Sequence, residues 1–291
     1  MLAVNLAREG VAPGEGAGGG SRLWSDPVVG PLARELYRRC GLVFEGGQGH
    51  LFRKRVERRA SEAGQSNVGE YVAALCARPD EREFERLIEL LTVNETYFFR
   101  EEEHFTLLID TFWPEWQRRS PGTPVRIWSA ACSTGCEPYT LGMLLREGRG
   151  RGQVEILGTD VNERVLGEAK EGSFGEFALR NTSQYYREKY FQRQPGGFRL
   201  DPAVRGMVRF QQLNLVRAAE RIPPGQFHAI FCRNVLIYFD LAAKRRVIRA
   251  LSQALRPGGV LLVGRSESLF NVPEAPPMGN AGGILYHRKP W

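Results

Sequence analysis

The fold class this sequence predicts is α/β: a doubly wound, Rossmann-like sheet with a small β-subdomain insertion, preceded by a small all-α domain. Three observations predict it. Val125 to Met143 passes from β-branched and aromatic residues (Val125, Ile127, Trp128) through small ones (Ser129 to Gly135) into helical spacing after Pro138, which is a strand, a tight loop and a helix. Apolar strand-like runs return at Val154 to Asp160, Val208 to Leu213, Phe227 to Cys232 and Val260 to Val263, with helical patterns among them. Before this rhythm begins, the stretch from Pro31 to Leu91 is helical throughout and comes in short pieces.

Composition narrows the class further. Hydrophobic content of 42% and charge of 25% are ordinary for a globular chain, and no apolar run approaches the roughly 20 residues of a membrane span. The start, MLAVNLAREGVAPGEGAGGG, is too weakly apolar for a secretory signal, so residues 1–26 read as a flexible Gly-rich lead and the chain is expected to be cytoplasmic. Five scattered cysteines (Cys40, Cys76, Cys132, Cys136, Cys232) and four isolated histidines suit free thiols and no metal site. The net charge of +7 is compatible with nucleic acid or with an acidic protein partner.

The helical domain is placed at 27–98. Leu32 and Leu36 share one face, and Phe52, Val56, Ala60 and Ala63 make a stripe on a second helix. That second helix also carries Arg53, Lys54, Arg55, Arg58 and Arg59, a basic run that reads either as a solvated face or as a docking surface for something acidic. Asp80 with Glu83 has the spacing of a capping box, and Phe84, Leu87, Ile88 and Leu91 follow at helical intervals. Next, Asn94, Thr96 and Arg100 stand among Tyr97, Phe98 and Phe99, a polar and aromatic mixture that by itself suits a domain junction.

Residues 99–291 form the sheet domain. Its first loop lacks G-x-G-x-x-G, having only Gly135, so it is a poor pyrophosphate cradle. Glu137 at the mouth of the following helix would repel phosphate but hold an ammonium group, which favours S-adenosylmethionine over a dinucleotide; a capping carboxylate is the alternative. Asp160 ends the second strand, where a carboxylate can bond ribose hydroxyls; a cap for the helix from Asn162 onward is the alternative. From 174 to 211 the rhythm breaks into an insertion. A tyrosine-bearing helix is expected over Asn181 to Gln194, with Phe198-Arg-Leu and Met207-Val-Arg-Phe able to pair as short strands. Asn214 and Leu215 then pair a polar with an apolar group suited to an adenine ring. Arg233, Asn234 and Tyr238 follow the apolar strand Phe227 to Cys232, near the crevice at strand carboxyl ends.

With these segments in place, the chain resembles the CheR family of chemotaxis-receptor glutamate methyltransferases. The resemblance runs from about Leu32 to the C-terminus. It rests on Asn94-x-Thr96-x-Phe98-Phe99-Arg100-Glu101, Ala131-Cys-Ser-Thr-Gly-Cys-Glu-Pro-Tyr139, Thr159-Asp160, Asn214-Leu215, Ile230-Phe-Cys-Arg-Asn-Val-Leu-Ile-Tyr-Phe-Asp240 and Gly264-x-Ser266-Glu267. It implies cofactor contacts from Asn94, Thr96, Arg100, Gly135, Glu137, Asp160, Asn214, Leu215, Arg233 and Asn234. It also implies a receptor-facing role for the basic helix Arg53–Arg59, and cytoplasmic chemoreceptor domains as partners without nucleic acid or membrane insertion. The sequence departs from the family in two respects: Cys136 stands where an acid is usual, and the insertion is a few residues shorter than in members that tether to a C-terminal receptor peptide.

The expected reaction is methyl transfer from S-adenosylmethionine to glutamate, leaving a methyl ester and S-adenosylhomocysteine. A glutamate carboxylate is ionised at neutral pH and needs no general base. Arg100 or Arg233 is expected to orient it, with Tyr238 lining the methyl path. The competing expectations are a non-catalytic S-adenosylmethionine-binding regulator and a nucleic-acid methyltransferase, the latter lacking an Asn-Pro-Pro-Tyr type of loop.

Overall fold

The structure is a computed structural model that describes residues 23–44, 48–150 and 152–291. Most of the Gly-rich lead read at the N-terminus lies outside the described residues.

Four helices, α1 (Gly30–Cys40), α2 (Gln48–Glu62), α3 (Val68–Ala77) and α4 (Glu81–Leu91), close on a core that includes Leu32, Leu36, Phe52, Val56, Phe84 and Leu87. Asp80 caps α4 by accepting from the Arg82 N–H at 3.0 Å. The second half of the expected capping box does not form. Glu83 turns away to accept from Arg59 Nε at 2.6 Å and Nη2 at 2.8 Å, and from the Tyr71 hydroxyl at 2.6 Å. Arg59 is buried, and a buried cation left unpaired costs more than a missing cap.

An aromatic helical stretch follows, with α5 (Glu102–Leu107), a π-helical turn at Leu108–Phe112 and α6 (Trp113–Arg119). The α/β region is then β1 (Val125–Ala130), α7 (Cys136–Leu144), β2 (Val154–Asp160), α8 (Glu163–Glu171), β3 (Ser173–Phe174), α9 (Gln184–Tyr190), β4 (Phe191–Gln194), β5 (Gly197–Leu200), α10 (Pro202–Arg205), β6 (Val208–Gln212), β7 (Phe227–Cys232), α11 (Leu241–Ala254), β8 (Leu255–Val263), β9 (Met278–Ala281) and β10 (Ile284–Arg288).

Seven strands form one sheet in the order β6-β2-β1-β7-β8-β10-β9. The first five run parallel, and β10 is antiparallel to both its neighbours. Because β1 is central, both of its faces are covered. Val125 and Ile127 enter one apolar cluster and Trp128 and Ala130 the other. The chain proceeds outward from β1 to β2 to β6, then returns to lie against the other side of β1 as β7. That reversal between β1 and β7 is where a parallel sheet opens a crevice at its carboxyl ends.

The insertion differs in detail from the sequence reading. Its helix ends at Tyr190, and Phe191–Gln194 pairs with Gly197–Leu200 in a tight hairpin. Gly197 has φ 154°, and a Cβ there would sit 2.2 Å from the Phe174 carbonyl oxygen, so the hairpin depends on glycine at this point. Phe198–Leu200 therefore pairs with β4 and β3, while Val208–Gln212 joins the large sheet beside β2. Alternation alone cannot assign a strand to one of two sheets.

Candidate active site

One cleft, with about 1120 Å3 of empty space counted to its open mouth, lies over the carboxyl ends of β1, β2 and β7 beneath the helical domain. Three loops build its floor: Ala131–Ser133 after β1, Asp160 and Val161 at the end of β2, and Arg233–Val235 after β7. The segment 91–97 with Arg100, together with Leu42–Phe44 from the end of α1, closes it from above.

Backbone strain concentrates here. Among the described residues the non-glycines at positive φ are Phe99, Glu101, Ala131, Ser133 and Asn234. Three of these line the cleft, and the other two flank Arg100. Such conformations persist only where surrounding bonds hold them, and those bonds are present. The Ser133 N–H donates to Asp160 Oδ2 at 2.9 Å, and the Ser133 hydroxyl donates to the Asn94 carbonyl at 3.0 Å. On the other side, Glu267 accepts from the Asn234, Leu236 and Gly264 N–H groups, each at 2.7 Å. Gly264 leaves room for this contact, since a Cβ would come within 2.8 Å of side-chain atoms of both Asn234 and Glu267.

Two carboxylates face this space, Asp160 buried and Glu137 partly buried. Glu137 Oε1 accepts from the Ser129 hydroxyl at 2.6 Å, and Oε2 accepts from Arg233 Nη1 at 3.1 Å. No backbone amide at the mouth of α7 is capped by a side chain, so Glu137 is not the capping residue that the sequence left open. Burial pushes its pKa up, while the Arg233 charge and the Ser129 hydroxyl pull it down. Asp160 is also raised by burial, against bonds from the Asn162 and Ser133 amides. Two acids held above their ordinary values and open to one cleft favour a ligand that brings positive charge and hydroxyl groups. Leu213, Leu215, Val235 and Phe239 supply apolar wall beside them. This donor set fits S-adenosylmethionine.

Of the residues singled out in the sequence, Asn94, Thr96, Arg100, Glu137, Asp160, Asn214, Leu215, Arg233, Asn234 and Tyr238 all line this cleft. Gly135 does not. It caps α7 in the left-handed region at φ 83°, and a Cβ on it would press within 3.0 Å of Phe210 and Tyr139, so its small size serves packing. Arg233 is nearly enclosed: its guanidinium bonds Glu101, Glu137 and the Arg100 carbonyl and lies over the Phe105 ring. Asn214 donates to the Arg39 carbonyl at 2.8 Å and accepts from the Val216 N–H at 3.1 Å, tying the sheet to α1. Arg100 is freer, with one bond from Nη1 to the Glu95 carbonyl at 3.3 Å.

The cleft also includes Leu42, Val43 and Phe44, which the sequence reading passed over. They are apolar and carry no motif; they reach the site because Val43 N–H donates to the Tyr238 carbonyl at 3.0 Å and Leu42 bridges to Phe239.

The basic helix carries less free charge than its count suggests. Arg53 pairs with Asp26, Arg58 with Glu62, and Arg59 with Glu62 and Glu83, while Arg55 donates to the Leu91 carbonyl at 2.9 Å.

A crevice at the switch point of a doubly wound sheet, two acids on its floor and an apolar wall define an S-adenosylmethionine-dependent methyltransferase. The sequence comparisons agree in detail. Residues 94–280 match the CheR methyltransferase SAM-binding domain, and residues 31–92 match the CheR methyltransferase all-alpha domain. The chain belongs to the CheR methyltransferase family. It is 33% identical to chemotaxis protein methyltransferase Cher2 of Pseudomonas putida, over 87% of this chain and 95% of that one. It is 35% identical to chemotaxis protein methyltransferase 1 of Pseudomonas aeruginosa, over the same shares, and 34% identical to the chemotaxis protein methyltransferase of Escherichia coli, over 85% of this chain and 86% of that one. No helix among the described residues is long and apolar enough to cross a membrane.

Proposed function

We propose that the protein transfers a methyl group from S-adenosylmethionine to glutamate side chains in the cytoplasmic domains of chemoreceptors, forming glutamate methyl esters. One observation carries this reading: the cleft has acids on its floor, a guanidinium at its mouth, and no histidine on its walls. The floor suits a cationic donor and the mouth suits an anionic acceptor. An acceptor carboxylate needs no base to remove a proton. When bound, S-adenosylmethionine supplies an activated methyl group on a cationic sulfur.

Glu137 is assigned to the ammonium group of the donor and Asp160 to its ribose hydroxyls. Leu215 and Asn214 border the base, with Asn94, Thr96 and Asn234 completing the wall. Arg233 acts indirectly, holding Glu137 ionised and in place, because its own donors are already committed. That leaves Arg100 to orient the acceptor carboxylate, a role that asks for a charge at the mouth and not a strong pairing that would dull the nucleophile. Burial raises the pKa of Tyr238, partly offset by Arg100 and, more weakly, Arg55, so the phenol stays neutral beside the methyl path. Arg55 reaches the rim of the cleft, where its Nη1 donates to the carbonyl of Leu91. The receptor-facing surface is assigned to the Lys54 and Arg55 part of α2, and not to its ion-paired outer positions.

The test is incubation with methyl-labelled donor and receptor cytoplasmic fragments. Base-labile label on the receptor is the expected result. Donor binding without transfer would make this a regulator, and label on nucleic acid would overturn the acceptor assignment.

A further inference from the structure

The segment carrying Asn94, Thr96 and Arg100 has no helix or strand of its own from Val93 to Tyr97, so its position is set by what it docks against. On one side Asn94 is held through its carbonyl by Ser133. On the other, the insertion grips it. Arg180, just after the short turn Glu176–Leu179, stacks its guanidinium on two rings, 3.5 Å from the centre of Tyr97 and 3.7 Å from that of Phe177. Its Nη2 also donates to Glu95 Oε1 at 3.0 Å. Beside it, the Phe98 N–H donates to the Ala178 carbonyl at 2.9 Å, and the Phe98 ring stands edge-on to Phe174 and Phe191. The chain of contacts continues inward, since the Glu95 carbonyl is the acceptor for Arg100 Nη1.

We propose that Arg180 is a positioning residue for the active site: by clasping Tyr97 and Glu95 it fixes the 94–100 segment, and so makes the donor-binding wall depend on the insertion. The inference rests on the reading of the cleft as the S-adenosylmethionine site. Arginine suits the task because a planar guanidinium can stack on two rings and still donate in its own plane to a carboxylate, which an ammonium cannot do. Arg180 does not line the cleft, so its effect must pass through the residues it holds.

The test uses the full chain and its Arg180→Ala, Arg180→Lys and Phe177→Ala variants. Amide hydrogen exchange without ligand is read at 94–100, with β1 and β7 as internal controls, and S-adenosylhomocysteine affinity is read by calorimetry. In Arg180→Ala, exchange at 94–100 is expected to quicken about tenfold, with β1 and β7 unchanged. The dissociation constant and the donor KM are expected to rise about tenfold, and kcat at saturating donor to stay within about threefold. Arg180→Lys should recover part of the loss. Phe177→Ala, at a side chain 62% exposed and outside the core, should move the same quantities in the same direction by about threefold and carries the decision if Arg180→Ala fails to fold. Wild-type exchange and affinity in the folded variants would overturn the proposal. If the wild-type chain binds no S-adenosylhomocysteine, it is the cofactor reading that fails, and exchange at 94–100 still decides the clasp.

Discussion

A buried arginine, Arg233, pairs with the partly buried Glu137, Nη1 to Oε2 at 3.1 Å, joining the loop after β7 to the first turn of α7 across the floor of the cleft. Glu101 shares the guanidinium at 3.2 Å. Removing Arg233 leaves two little-exposed carboxylates, Glu101 and Glu137, without their shared cation. Arg233→Gln is expected to destabilise the protein by about 3–5 kcal/mol in urea unfolding. The double variant with Glu137→Gln should recover a measurable part of that, and strictly additive losses would show that the two do not interact.

Arg100 is the acceptor-orienting group in this account. Arg100→Ala should lower kcat/KM for receptor methylation by at least about tenfold, with a melting temperature close to wild type because its side chain makes one long bond. Unchanged turnover would remove Arg100 from the site.

Donor affinity should depend on pH. Burial raises the pKa of Glu137 and of Asp160, so in the ligand-free protein their contribution to stability is present below the ordinary carboxylate range and lost as pH rises through their folded values. A cationic donor binds the ionised forms. Lowering the pH toward the raised values of these acids should therefore weaken S-adenosylmethionine binding, and the Glu137→Gln variant should bind at least about tenfold more weakly where the wild-type acids are ionised, with a flatter profile. Calorimetry in buffers of different ionisation enthalpy checks both statements. A flat profile in the wild type would contradict them.

Two buried histidines act in the opposite sense on stability. Burial holds His104 and His228 neutral, with pKa values lowered to about 4, and His228 Nδ1 accepts from the Arg126 N–H at 2.9 Å. The unfolded chain takes up these protons first. Their stabilising contribution is thus complete above the ordinary value of 6.5 and lost as pH falls from there toward 4. Each contributes a loss of about 2 kcal/mol between pH 6.5 and 5, and His228→Gln, which keeps an acceptor but cannot titrate, should flatten the urea midpoint over that range.

The site was readable in the sequence to the extent that its residues terminate strands. Asp160, Asn214, Arg233 and Asn234 all follow apolar strand patterns, and a parallel sheet delivers strand ends to one crevice. Less visible was how the side chains divide their work. Nothing in the order of residues separates Arg233, locked between Glu101 and Glu137, from Arg100, which stays available. Gly135 looked like a ligand-facing glycine, but its missing Cβ makes room for Phe210 and Tyr139, which arrive from other elements. Leu42 to Phe44 entered the cleft unannounced because an apolar linker bears no chemistry until its backbone pairs with Tyr238 and Phe239. The charge on α2 was overestimated for a similar reason: Asp26, Glu62 and Glu83 neutralise three of its arginines, and Asp26 and Glu83 come from elsewhere in the helical domain.

The most direct test is a crystal structure of the protein with S-adenosylhomocysteine. The expected result has its ribose hydroxyls within hydrogen-bond reach of Asp160, its amino group at Glu137 and its sulfur directed toward the mouth between Arg100 and Tyr238. Density for the ligand anywhere other than this cleft, or in the cleft with neither acid contacting it, would contradict the account.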